Sequence, residues 1–145
     1  MSDYAHTKAV FYPVTEEDLK VLGVDSVYDL DIDDRYKHLF DKYSANKKKN
    51  YFDVEGMINY KTDESSSYLI YVKYYSYGDD CGDYGTSRPL TPEEQEKFKP
   101  LFEQILPNID PSKFKYVDYC YYNCSECHDY YVDPSGNDDL LDDDD

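Results

Sequence analysis

The run Tyr68-Leu69-Ile70-Tyr71-Val72-Lys73-Tyr74-Tyr75-Ser76-Tyr77 can adopt few conformations. Aromatic and β-branched side chains suit a pleated, half-buried surface, so the run predicts a long strand. A strand needs partners, and the rest of the chain must supply a sheet. Strict alternation puts Ile70 and Val72 on one face and Tyr71, Lys73, Tyr75 and Tyr77 on the other. The second face reads as amphipathic, with its phenol tips in water.

Partners are legible on both sides of this run. Val10-Phe11-Tyr12 reads as a short strand ended by Pro13, Tyr51 to Tyr60 as a strand before a polar turn at Thr62 to Ser66, and Phe114 to Tyr122 as another. Thr15 followed by Glu16, Glu17 and Asp18 marks a helix start, and Gly23 its end. From Asp33 or Asp34, the spacing of Tyr36, Leu39, Phe40 and Tyr43 predicts an amphipathic helix ending near Ser44. Thr91-Pro92-Glu93-Glu94 opens a third helix with Phe98, Leu101, Phe102, Ile105 and Leu106 on its apolar face. Pro100 is expected to kink or restart it, and Pro107 to end it. Gly78 to Ser87 reads as a loop. The expected fold class is α+β: an antiparallel sheet with two or three helices packed on one face, and a mobile acidic C-terminal tail. One domain spans residues 1–133, and residues 134–145 form the tail.

Charge narrows what such a fold can meet. The chain has 32 acids against 15 bases, a net charge of -17 over 145 residues. The imbalance grows along the chain: residues 1–50 carry net -2, residues 51–90 net -4 and residues 91–145 net -11. Tyr116 to Asp145 hold ten carboxylates and six tyrosines with no Lys or Arg. A purely solvating acidic tail is poor in aromatics, whereas here phenols alternate with carboxylates. Phosphate backbones and anionic membranes are excluded as direct partners by sign. A compact chain of this length is about 38 Å across. Duplex DNA of that length carries about 22 charges, of the same order as the net 17 here.

Cys120, Cys124, Cys127 and His128 form C-x₃-C-x₂-C-H, with Cys81 in an earlier Gly/Asp-rich segment. These are zinc-ligand types, but structural zinc sites join two separated pairs, which this spacing does not provide. The carboxylates around the cluster raise thiol pKa values and disfavour a nucleophile. The expectation is free, partly buried thiols, with no metal and no cofactor. Asp31, Asp33 and Asp34 do not make a calcium loop, because Tyr36 occupies the position that needs glycine.

The start, Met-Ser-Asp-Tyr-Ala-His, has no basic and apolar leader pattern, which predicts a cytoplasmic protein, in the host cytosol if phage-encoded. With no catalytic signature, the expected role is binding rather than catalysis. Carboxylates can stand where phosphates stand, and tyrosines bury area at low entropic cost. The reading is an acidic, tyrosine-rich inhibitor that blocks the DNA or RNA site of a basic nucleic-acid-processing enzyme, a DNA mimic of anti-CRISPR or anti-restriction type. The alternatives are an immunity protein neutralising a toxic nuclease, or a small zinc or thiol protein using Cys81, Cys120, Cys124, Cys127 and His128. The partner-binding set is Tyr75, Tyr77, Asp79, Asp80, Tyr121, Tyr122, Glu126 and Asp129, where phenols and carboxylates meet few bases.

Overall fold

The computed structural model describes residues 4–40, 50–59, 64–77 and 84–122. Five antiparallel strands form one sheet: β1 (Tyr4–Pro13), β2 (Tyr51–Asn59), β3 (Glu64–Tyr77), β4 (Tyr84–Pro89) and β5 (Lys115–Tyr122), in the order β2-β3-β1-β5-β4. Two helices, α1 (Glu16–Leu22) and α2 (Pro92–Phe102), and 3₁₀ turns at Val27–Asp29, Lys37–Phe40 and Pro111–Lys113 complete the described fold. The α+β class is therefore as the sequence predicts. The boundary at residue 133 and the tail beyond it lie outside the described residues.

Both helix starts follow their sequence signals. The Thr15 and Thr91 side chains accept from the backbone N–H of Asp18 and Glu94, and those acids accept from the cap N–H in return. Gly23 ends α1 at φ 75, a left-handed conformation that favours glycine. Pro100 does not break α2, since it sits in the last turn, where only one intrahelical bond is lost. The helix stops at Phe102, earlier than Pro107, yet Ile105 and Leu106 still reach the core from the following turn.

The helix expected from Asp33 to Ser44 is not formed over its described part, where only the Lys37–Phe40 turn is helical. Asp33 Oδ1 accepts from the Arg35 backbone N–H at 2.9 Å, a local turn that competes with helix propagation. Residues 41–49 lie outside the described set. Tyr36 and Leu39 nonetheless pack against the core and Phe40 is buried in it, so the apolar spacing marks core-facing residues without a helical backbone.

β1 is longer than Val10–Tyr12 and is the central strand. Its paired register runs continuously except between Lys8 and Ala9, where Lys8 faces Tyr74 and Ala9 faces Val72. Lys73 is the extra residue of a β-bulge. Alternation along β3 therefore inverts there. Tyr75 shares the face of Val72 and Ile70, opposite Tyr71, contrary to the reading from strict alternation.

The two faces bury different clusters. Val10, Tyr12, Phe52, Val54 and Leu69 pack under the helices with Leu22, Leu30, Phe98, Phe102 and Phe114. Edge-to-face contacts tie this layer together, with Phe102–Phe114 at 4.9 Å and Phe52–Tyr71 at 5.0 Å between ring centroids. On the other face Ala9, Phe11, Ile70, Val72, Val117 and Tyr119 form a second cluster made only of strand residues.

Arg88 of β4 clamps α2 to the sheet. Its two terminal nitrogens donate to the two carboxylate oxygens of Glu94, each at 2.8 Å, while its guanidinium lies 5.2 Å from the Tyr116 ring. Glu94 is 2% exposed. The Arg88 hydrogen bonds hold its carboxyl at about 2 against an ordinary 4.5, overcoming the opposing effect of burial, with help from the Thr91 N–H. A depressed carboxyl stabilises the fold fully above its unfolded value and loses that contribution as pH falls towards the folded value. Glu94→Gln should lower stability by about 3 kcal/mol at neutral pH. Denaturant titrations should also show that the variant lacks the parent's loss of stability between pH 4.5 and about 2 that is due to this group.

Candidate functional site

The strand-only face is where phenols and carboxylates meet. Small residues on β1 make room for them: Ala5, Thr7 and Ala9 are buried in the middle of this face. Ala5 pairs with Tyr77 on one side and Tyr121 on the other, and Thr7 pairs likewise with Tyr75 and Tyr119. Two successive rows of the sheet thus read Tyr-Ala-Tyr and Tyr-Thr-Tyr across β3, β1 and β5. Within these rows Tyr119 is fully buried and Tyr75 is 45% exposed.

Towards β2 the same face carries Tyr51, Asp53 and Glu55, paired with Val72, Ile70 and Tyr68. The Tyr119 hydroxyl donates to Glu55 Oε2 at 2.8 Å, joining β5 to β2 across the two strands between them. Tyr119 pairs with Thr7, whereas Glu55 pairs with Tyr68 and through it with Pro13. A flat sheet would hold the two residues about 14 Å apart across the strands and about 20 Å apart along them, so this face must curl inward for the bond to form. Phe11 packs edge-on against Tyr119 at 5.8 Å and against Tyr68 at 5.3 Å, filling the hollow between them.

Of the predicted partner-binding residues, the register brings Tyr75, Tyr77 and Tyr121 together around Ala5 and Thr7. Tyr122 pairs with Tyr4, one position further along β5, so its backbone parity is opposite to that of Tyr121. Asp79, Asp80, Glu126 and Asp129 lie outside the described residues. Sequence reading missed Tyr51, Tyr68 and Glu55 as members of this face, because only the paired register aligns them. Alternation within β2 was the one available signal.

A polar group occupies the helix-side face beyond the helices. His6 Nε2 and Asp118 Oδ1 are 2.7 Å apart, joining β1 to β5, and both side chains are mostly buried. The His6 ring meets Tyr74 edge-on at 5.3 Å, and Lys8 Nζ lies 5.7 Å from the Tyr74 centroid. His6 and Lys8 break the apolar pattern of β1, which is why the sequence showed only its last residues as a strand.

Cys120 is completely buried and disulfide-bonded, which corrects the expectation of free thiols for this residue. Its sulfur is consequently not a thiolate ligand for zinc. Cys81, Cys124, Cys127 and His128 lie outside the described residues, as does the partner of this bond. No group of three or more His, Cys, Asp or Glu suited to a metal ion occurs among the described residues. A cleft of about 200 Å³ beside the Lys37–Phe40 turn is lined by His38, Tyr51, Tyr71 and Gln104 among others. Small-molecule sites usually exceed about 300 Å³, so this cleft does not define one. No described helix is long and apolar enough to cross a membrane.

No protein-family model matches the sequence, and no curated protein or solved structure matches it.

The disulfide gives a direct test of this end of the sheet. Removing a native disulfide costs roughly 2–4 kcal/mol. Thermal melts should therefore show Cys120→Ser well below the parent under oxidising conditions, and the two should converge once the parent is reduced. Equal melting temperatures in oxidant would show that Cys120 contributes no such constraint.

Proposed function

We propose that this chain is an inhibitor that binds a basic nucleic-acid-processing enzyme and covers its DNA or RNA site, in the manner of anti-restriction and anti-CRISPR proteins. The observation that carries the reading is the pair of register rows that set Tyr75 and Tyr77 of β3 and Tyr119 and Tyr121 of β5 against Thr7 and Ala5 of β1, with the Tyr75 side chain half exposed, in a chain with net charge -17. A basic groove evolved for phosphates attracts such a chain over about a Debye length, 8–10 Å at physiological salt. Carboxylates then replace phosphates, and phenols supply rigid contact area. Binding rather than catalysis is the proposed mode, with a basic protein as partner and neither nucleic acid nor membrane contacted directly.

The proposed compartment is the cytosol, where enzymes of this kind act. Glutathione there works against disulfides. The Cys120 bond must therefore resist the cytosolic poise or be absent in the working form, which thiol labelling in intact cells distinguishes.

Capture on the immobilised protein from nuclease-treated lysate tests the reading. Basic nucleic-acid enzymes should be retained and should be released by added duplex DNA or RNA. Tyr75→Ala should raise the off-rate, with a loss of roughly 1–2 kcal/mol if Tyr75 is a packed anchor. Charge reversal of Glu96 and Glu103 on the helical layer should change binding little. Retained proteins that are acidic, or that nucleic acid does not displace, would contradict the proposal.

A further inference from the structure

Four large hydrophobic side chains are strongly exposed among the described residues, and three of them lie close together in sequence: Val21 in the last turn of α1 at 67%, and Tyr28 at 55% and Ile32 at 73% in the connection that follows it. The fourth, Tyr75, belongs to the sheet face described above. Tyr28 lies on the helix-covered side, because a Cβ added at Gly56 of β2 would meet its hydroxyl at 2.7 Å. This connection is therefore on the opposite side of the sheet from the phenol rows.

The exposed side chains sit on a fixed frame. Leu22, Val27 and Leu30 anchor the segment in the core. A third capping box, Ser26 with Asp29, holds the Val27–Asp29 turn. Arg35 Nη2 donates to the Leu22 carbonyl at 2.8 Å and to Asp33 Oδ2 at 2.9 Å, drawing residues 33–35 onto the end of α1. The same contact holds the Asp33 carboxyl at about 2, below its ordinary 3.8. Burying such side chains in a partner orders little that is not already ordered, which is the condition for an interaction site.

The surrounding charge identifies what would cover them. Asp25 to Asp34 contain five carboxylates and no Lys or Arg. Asp29 and Asp33 are used in the caps and turn above, and Asp34 pairs with Lys37 at 2.9 Å. Asp25 and Asp31 make no ion pair or hydrogen bond among the described residues. A second copy of the chain would bring another -17 against these carboxylates, and an anionic bilayer would be repelled likewise. We infer that Val21, Tyr28 and Ile32, with Asp25 and Asp31, form a separate docking surface for a cationic protein segment that alternates basic and aliphatic side chains. The aliphatic groups would cover the apolar patch and the ammonium groups would meet the free carboxylates. This surface does not depend on the nuclease reading.

Isotope-labelled protein titrated with a short peptide of alternating Lys and Leu, at about 0.15 M salt, tests the inference by amide chemical shifts. An oligolysine of equal charge serves as the control. The Lys/Leu peptide should shift amides of residues 21–35 and bind more tightly there than oligolysine. Val21→Ser and Ile32→Ser should each weaken it several-fold, and Asp25→Lys with Asp31→Lys roughly tenfold, about 1.4 kcal/mol. All four positions except Asp31 are well exposed, so unchanged melting temperatures should accompany these losses; Asp31→Asn, which removes the charge alone, should weaken binding in the same direction. Tyr75→Ala should leave this binding unchanged, which separates it from the inhibitor surface. Shifts centred elsewhere, indifference to Ile32→Ser, or equal binding of oligolysine would overturn the inference. So would sedimentation showing a parent dimer that Ile32→Ser converts to monomer, since the patch would then be occupied by a second copy.

Discussion

The side-chain pattern of β1 is the constraint on which the rest of this structure depends. Ala5, Thr7 and Ala9 are small and buried on one face, while Val10 and Tyr12 lie under the helices on the other. β1 alone pairs with both β3 and β5, so it links the β2-β3 half of the sheet to the β4-β5 half. Larger residues at Ala5 or Ala9 would enter space that the neighbouring strands fill. Overpacking of that kind typically costs 1–3 kcal/mol. The concave face, the Tyr119–Glu55 hydrogen bond and the flanking tyrosine rows all follow from a narrow central strand.

Charge sets the second condition. A chain of net -17 repels itself in the compact state, and the fold answers by keeping carboxylates almost entirely out of its core. Glu94 is the one fully buried acid among the described residues, and it is held by a bidentate guanidinium. Removing one member of such a pair strands a charge, whereas an exposed pair such as Lys37–Asp34 contributes little. The aromatic layer formed by Tyr12, Phe52, Tyr71, Phe98, Phe102 and Phe114 supplies the compensating burial.

Local signals were read well and long-range ones were not. Both α-helices could be placed from their caps, because Thr15 and Thr91 act within three residues of themselves. β2, β3 and β5 were legible from aromatic and β-branched content. Most of β4 falls in the stretch Gly78 to Ser87 that reads as a loop, since Tyr-Gly-Thr-Ser-Arg-Pro has little strand propensity and owes its state to pairing with β5. Asp33 turned an apolar helical spacing into turns by bonding to the Arg35 N–H. The bulge at Lys73 left no mark in the sequence, because the adjacent Tyr74 and Tyr75 present a phenol to each face in either register. That single residue decides which tyrosines share a face, so the candidate site was legible in composition and not in geometry.

Cross-strand nuclear Overhauser contacts between β1 and β3 measure that register directly. With Lys73 bulged, backbone contacts should pair Lys8 with Tyr74, Thr7 with Tyr75 and Ala5 with Tyr77. Thr7 and Ala5 should also contact Tyr119 and Tyr121 on β5. Contacts pairing Lys8 with Lys73, Thr7 with Tyr74 and Ala5 with Ser76 would show an unbulged ladder. Tyr75 would then pair with His6 and lie on the helix side, and Tyr74 would take its place opposite Thr7, so the candidate site would be built from different tyrosines.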